Sequence, residues 1–351
     1  MKRSRDTAVL VLLVLATTLI GACWAQEDET IEIGLNLEQG HEVYYEHQTA
    51  INQTFKGGPL PGLKLTMDIM YGFYQRTTKF DGKGPAEIEQ TWDRIKIYQD
   101  SGMTKMSFDS DHPELAKDVP LGGGDSSMSE LLARQVGSKI TITLEPNGKE
   151  TKLSGMEALV KKMFEGLPEV PEFELATAKI KQDMTDEKMR CTVLQNQTLF
   201  LPPGPVSVGA TWNIKEAMDV PLLGKMIYDW NCTLKAVEGS SGSRVAVISI
   251  QGDVKPADDG AIDFMGGMAK LKLDKRTQEG EVLFDLDKGE VISSTINETS
   301  QMTLEIPGMV DSMVLDQTSV TKFTRKDPEV RAKEVEEIKQ AREEGSDGEK
   351  R

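Results

Sequence analysis

Residues 40–55 read GHEVYYEHQTAINQTF and residues 67–80 read MDIMYGFYQRTTKF. In both, apolar or aromatic side chains largely alternate with polar ones. A period of two with one wet face marks an antiparallel strand, because successive side chains point to opposite faces. The alternation recurs in Ala86–Gln99 and Thr104–Phe108, and Asp81-Gly82-Lys83-Gly84 supplies a turn between two of these runs. Lys139–Leu144 and Lys149–Leu153 flank Pro146-Asn147-Gly148, where Asn-Gly accepts the positive φ of a tight hairpin. After Pro203-Gly204-Pro205 a second series follows: Trp212–Ala217, Lys225–Glu238, Arg244–Asp253, Ala269–Lys275, Glu281–Asp287, Glu290–Ser300 and Gln317–Arg325. Asp287-Lys288-Gly289 joins two of these in a hairpin.

Helical signals concentrate between the two series. Ser127-Met-Ser-Glu130 is a capping box ahead of Leu131, Leu132 and Val136, with Gly137 as the stop. In Gly155–Gly166, Met156, Leu159, Val160 and Met163 recur at helical spacing, and residues 173–190 give a weaker third helix. Leu167-Pro168-Glu-Val-Pro171 is read as extended, since proline disfavours helix in the residue before it. Asp327-Pro328 opens a charged helix whose apolar stripe is thin (Val335, Ile338, Ala341).

The expected fold is α+β and mainly antiparallel β. Its sheet is a curved open barrel, or two packed sheets, with the central helices covering one side. The expected layout is a signal peptide (residues 1–25), a β-rich domain (26–325) and a charged helical tail (326–351). Segments 70–79 and 226–235 are faintly alike, which suggests two similar halves, 31–153 and 203–325, joined by a helical segment, 154–190.

Lys2, Arg3 and Arg5 precede an uncharged run, Ala8–Ala22, of about 15 residues, short of the roughly 20 that span a bilayer. A basic start, a short apolar stretch and small residues at the end describe a secretory signal. Two processing sites fit. Ile20-Gly21-Ala22-Cys23 resembles a lipobox that would lipidate Cys23, and Ala22-Cys23-Trp24-Ala25 suits ordinary cleavage before Gln26. Trp24 is a poor second residue for a lipoprotein, so release after Ala25 is expected, into periplasm or medium. Membrane anchoring through Cys23 is the alternative.

The chain carries 57 acidic and 41 basic residues, a formal charge of −16, which becomes −18 once residues 1–25 are removed. Such a protein is repelled by phosphate backbones, so nucleic acid is not an expected partner. The 17 methionines fit irregular core packing or a cavity for an apolar ligand. In an oxidising compartment Cys191 and Cys232, both read in strand-like runs, form a candidate disulfide. Neither has the spacing of a redox or zinc site.

Asp109, Asp111, His112 and Glu114 form the best acidic cluster, with oxygens suited to a hard cation, but a solvated loop is the better reading of them. His41 and His47 share strand parity but lie about 20 Å apart at strand rise, too far to share a metal. There is no GxSxG elbow, and Gly122-Gly123-Gly124 lacks the lysine of a phosphate loop. No cofactor motif is legible, and no catalytic residue is assigned. Sequons stand at Asn52, Asn196, Asn231 and Asn297.

Pro205–Trp212 (PVSVGATW), Tyr228, Val245–Ile250 (VAVISI), Gly280–Asp285 (GEVLFD) and Gly289–Val291 (GEV) resemble an uncharacterised family of bacterial exported proteins, a domain of unknown function. Leu35–Tyr45 and Ser107–Asp111 also resemble its pattern, so the likeness covers most of residues 31–325. The resemblance implies a signal peptide and a β-rich fold and supplies no catalytic residues. The strand-and-helix layout is loosely similar to the open barrel of bacterial lipoprotein carriers.

The reading that follows is an exported, non-enzymatic envelope protein. It binds an apolar ligand such as lipid, or another envelope protein, in the concavity of its sheet. The alternatives are a purely structural envelope protein and a secreted hydrolase using Asp109, Asp111 and His112.

Overall fold

The computed structural model describes residues 30–348 except 59–60, 118–127, 146–150, 167–177, 179–180, 183, 195–196, 221–223, 258–261, 265–268 and 307–311. The signal segment, Cys23, the 147–148 turn and Asn196 lie outside the described residues. The thirteen strands described belong to a single antiparallel sheet. They are β1 (Glu42–Lys56), β2 (Lys64–Lys79), β3 (Ala86–Asp100), β4 (Lys105–Asp109), β5 (Lys139–Leu144) and β6 (Thr151–Ser154) in the first series. The second comprises β7 (Thr211–Val220), β8 (Gly224–Glu238), β9 (Val245–Pro256), β10 (Ile262–Phe264), β11 (Ala269–Asp285), β12 (Glu290–Glu305) and β13 (Met313–Lys326).

Strand order runs β6-β5-β3-β2-β1-β13-β12-β11-β9-β8-β7, with β4 on β3 and β10 on β11. The two series meet where β1 pairs with β13, Tyr44 opposite Lys326 through Lys56 opposite Val314. The path starts on β6 and ends on β7, so the sheet is one open, curled layer rather than two packed sheets. Its curl is evident in the core: Phe73 of β2 and Trp230 of β8, far apart along the path, belong to one buried cluster.

Four helices are described: α1 (Met128–Ala133), α2 (Met156–Phe164), α3 (Asp186–Leu194) and α4 (Pro328–Gly348). Leu131 of α1 and Met156, Leu159 and Met163 of α2 bury Ile88, Ile140, Ile142 and Leu153, covering the inner side of β3, β5 and β6. Helix α3 packs against both β6 and β7, the two ends of the path, and fills the seam. The N-terminal segment crosses the core, with Ile31 bridging Val206 and Ile33 buried. It passes so close to the β11–β12 hairpin that a Cβ on Gly289 (φ 64°) would lie 2.1 Å from the Asn36 nitrogen.

Two readings are corrected. Residues 269–275 and 281–287 are one strand, β11, with a bulge between Leu273 and Lys275. Residues 191–194, read as strand, continue α3. On helix α4 the thin apolar stripe is covered only in part, Val335 and Ile338 half-buried and Ala341 exposed, while Arg331 is 2% exposed.

Candidate functional site

Cross-strand register sorts the inner face into bands. Nearest the β11–β12 hairpin the face is closely packed. Tyr45 stacks on Phe323 with ring centroids 4.6 Å apart, and Phe284 meets Phe200 edge-on at 6.1 Å. Trp212 Nε1 donates to the Phe200 carbonyl at 3.0 Å, so the buried indole keeps a partner.

A polar belt crosses the middle. Trp230 Nε1 donates to Gln278 Oε1 (2.9 Å), Gln278 Nε2 donates to Glu298 Oε2 (2.7 Å), and Arg276 Nη2 pairs with the same oxygen at 2.8 Å. Burial opposes the Arg276 charge, while Tyr228 and Glu298 beside it favour the cation. The belt continues through Ser300 and Ser319 to the Thr49–Thr321 hydroxyl pair (3.3 Å) and the Gln53 to Gln317 bond (2.7 Å). Buried polar groups are tolerated where they are bonded in this way.

Beyond the belt the face is apolar again, in two conditions. Leu271, Leu273, Met302 and Met313 are buried, but Ile51, Phe55, Leu65, Met67 and Ile69 on β1 and β2 are only half-buried. His47 and Tyr71, neighbours in register, lie deep in the fold yet keep accessible surface. These half-buried side chains leave part of the concave inner face, its hollow, incompletely covered. Burial pushes the His47 imidazole down to about 4, so it is neutral there at physiological pH.

The residues singled out by sequence fall elsewhere. Asp109 and Asp111 are brought together, but with arginines. Arg94 Nη2 meets Asp109 Oδ2 at 2.6 Å, and Arg94 Nε lies 3.0 Å from Asp111 Oδ2. Arg331 reaches Asp93 at 2.6 Å and grips Asp111 at 2.8 and 2.9 Å, with its guanidinium 5.9 Å from the centre of the Tyr44 ring. Burial acts to raise the Asp109 pKa, but the Arg94 hydrogen bonds, the Asp111 backbone amide and the Arg94 and Lys96 charges together outweigh it and hold the carboxyl below its usual range. His112 Nδ1 faces Glu114 Oε1 at 3.3 Å, and His41 lies against Glu290. Among the described residues no group of three or more His, Cys, Asp or Glu is placed to hold a metal ion.

Of the two cysteines paired in the sequence reading, Cys232 is a thiol buried on the inner face of β8 and pushed up to about 12 by burial, and Cys191 lies on helix α3 rather than in a strand. A polar cleft of about 640 Å³ lies on the opposite face, lined by Asp229, Asn231, Asp253, Glu279 and Asn297 among others. Two of the sequon asparagines, Asn231 and Asn297, stand there, exposed in mid-strand.

Sequence signals for the inner belt were weak. Arg276 and Gln278 sit in a polar run, RTQEG, that reads as a turn. Only the alternation of Glu298 and Ser300 with outward residues on β12 hints that polar side chains face inward.

An antiparallel sheet curled round a partly polar interior defines the class of protein. The chain belongs to a family of unknown function, DUF6263, whose profile matches residues 83–291. Ser107–Asp111, Pro205–Trp212, Val245–Ile250 and Gly280–Val291 fall inside that match, and Leu35–Tyr45 lies before it. No curated protein matches the chain in sequence.

Among solved structures, the chain is similar to lipovitellin, in a study of its lipid–protein interactions, with 10% identity and a TM-score of 0.39. That likeness covers 83% of this chain and 26% of the lipovitellin chain, so the present chain spans about a quarter of its length. The β domain of the Bordetella autotransporter BrkA is 8% identical over 80% of this chain and 98% of that one, with a TM-score of 0.20. An outer-membrane channel from Pseudomonas putida F1 is 8% identical over 83% and 97%, with a TM-score of 0.21.

Proposed function

We propose that this is an exported cell-envelope protein, not an enzyme, that holds an apolar ligand such as a lipid chain against the inner face of its sheet. The observation that carries the reading is the half-buried row Ile51, Phe55, Leu65, Met67 and Ile69, next to the accessible but enclosed His47 and Tyr71. Apolar surface left accessible costs roughly 25 cal/mol per Å², and a lipid chain laid over it recovers that cost. Concave, mostly apolar surfaces with a few convergent polar groups are the usual form of small-molecule sites. The basic and apolar segment of residues 1–25 supports export, which puts the protein where lipid is at hand.

The test uses the mature chain and a neutral naphthylamine dye that fluoresces in apolar surroundings. Saturable uptake near one dye per chain, lost in the Met67→Glu/Ile69→Glu variant while the circular dichroism spectrum is kept, is the expected result. Absence of saturable uptake, or unchanged uptake in the variant, would overturn the reading.

A further inference from the structure

Arg276 is a charged inner-face group whose bonding is incomplete. Its Nη2 is used by Glu298 and its guanidinium lies 5.9 Å from the centre of the Tyr228 ring, but Nε and Nη1 are buried without a hydrogen bond of ordinary geometry among the described residues. A buried cationic donor without a partner carries a large desolvation cost, and a charged acceptor answers it best. Its position matters. Along the register Arg276 lies opposite Ser300, then Gln317, Gln53 and Leu65, and the next inward row is Leu273, Met302, Leu315 and Phe55. The guanidinium therefore stands where the polar belt meets the apolar end of the hollow. From β11 to β2 the path crosses four strand spacings, about 19 Å at about 4.8 Å each, enough for an extended long acyl chain.

Resting on the apolar-ligand reading above, we propose that the ligand is an amphiphile with an oxyanion head. The head accepts hydrogen bonds from Arg276 Nε and Nη1, and its chain lies along Leu315, Phe55, Leu65 and Met67. Glu298 limits the affinity by sharing the guanidinium.

Calorimetry on the mature chain with palmitate, hexadecanol and acetate separates head from tail. Palmitate is expected to bind at least about tenfold more tightly than hexadecanol, the worth of a charge-assisted hydrogen bond. Acetate alone is expected to bind too weakly to measure. Arg276→Gln lowers palmitate affinity by about tenfold and leaves hexadecanol unchanged. Glu298→Gln raises palmitate affinity, a change of sign that general loosening of the fold would not produce. If Arg276→Gln fails to fold, the Arg276→Gln/Glu298→Gln pair, which leaves no unpaired charge, takes its place with the same expectation. Palmitate and hexadecanol binding alike, in wild type and variant, would overturn the headgroup assignment while leaving the apolar site standing. Binding of neither would overturn both.

Discussion

Tyr44 and Gly72 show how tightly single residues are constrained on the outer face of β1 and β2. A Cβ on Gly72 would lie 2.0 Å from the Tyr44 hydroxyl, and Tyr44 is 1% exposed beneath α4. Gly72→Ala is expected to cost about 1–3 kcal/mol, as overpacking does. Tyr44→Phe should recover part of this, because its hydroxyl is buried without a partner. Urea midpoints of the two single variants and the double variant check it, and additive effects would contradict it. His47 makes a pH prediction. Burial holds it at about 4, below the ordinary histidine value near 6.5, so the unfolded chain binds more protons between those limits. Its contribution is complete above about pH 6.5 and is lost as pH falls towards 4, amounting to roughly 3 kcal/mol. His47→Gln should lose less stability than wild type on that descent, and parallel losses would show that His47 is not the group responsible. Neither residue's role is legible in sequence: alternation gives the face on which Tyr44 and His47 lie, but not what lies over them.

Elements were legible where one face is wet. Strand β5, Lys139–Leu144, is bounded by its hairpin signal at Pro146-Asn147-Gly148, and β1 to β4 are bounded within a few residues by alternation, because their outward positions are polar. β11 was read as two strands because Arg276 and Gln278 put polar side chains on the inner face too, erasing the alternation that marks a strand. Residues 191–194 were misread because Cys-Thr-Val-Leu has β-branched character, while packing of Met189 and Val193 under α2 keeps them helical. Helix α2 shows a contact no local reading supplies. Its N-cap is Gly155, without a side-chain cap, and its first amide, on Met156, donates 2.9 Å to Asp186 Oδ1 at the start of α3. Asp186→Ala should cost about 1 kcal/mol, as loss of a capping acceptor does. Hydrogen exchange should then quicken at α2 and at the β6–α3–β7 seam and leave β12 and β13 unchanged. Uniform quickening would mean that the seam is not a separate unit.

Across the whole molecule, the sheet curls so that one face forms the core and, in the function proposed, also serves as the container. The core half was foreseeable, since amphipathic strands and central helices must bury their apolar sides together. The container half was not. Methionine-rich strands predict burial equally well whether the hollow is filled by side chains or left for a ligand, and Met218, Met226, Met302 and Met313 are in fact packed. β1 and β2 carry a row of apolar side chains covered only in part, continued by Leu315 of β13 and Ile97 of β3. The measurement that tests this most directly is native mass spectrometry of the protein taken from its own envelope without detergent. A bound species of acyl-chain mass on the folded chain is expected, absent from the Met67→Glu/Ile69→Glu variant prepared alongside. A wild-type chain that flies at its bare mass, and takes up no lipid when offered it, would contradict the account.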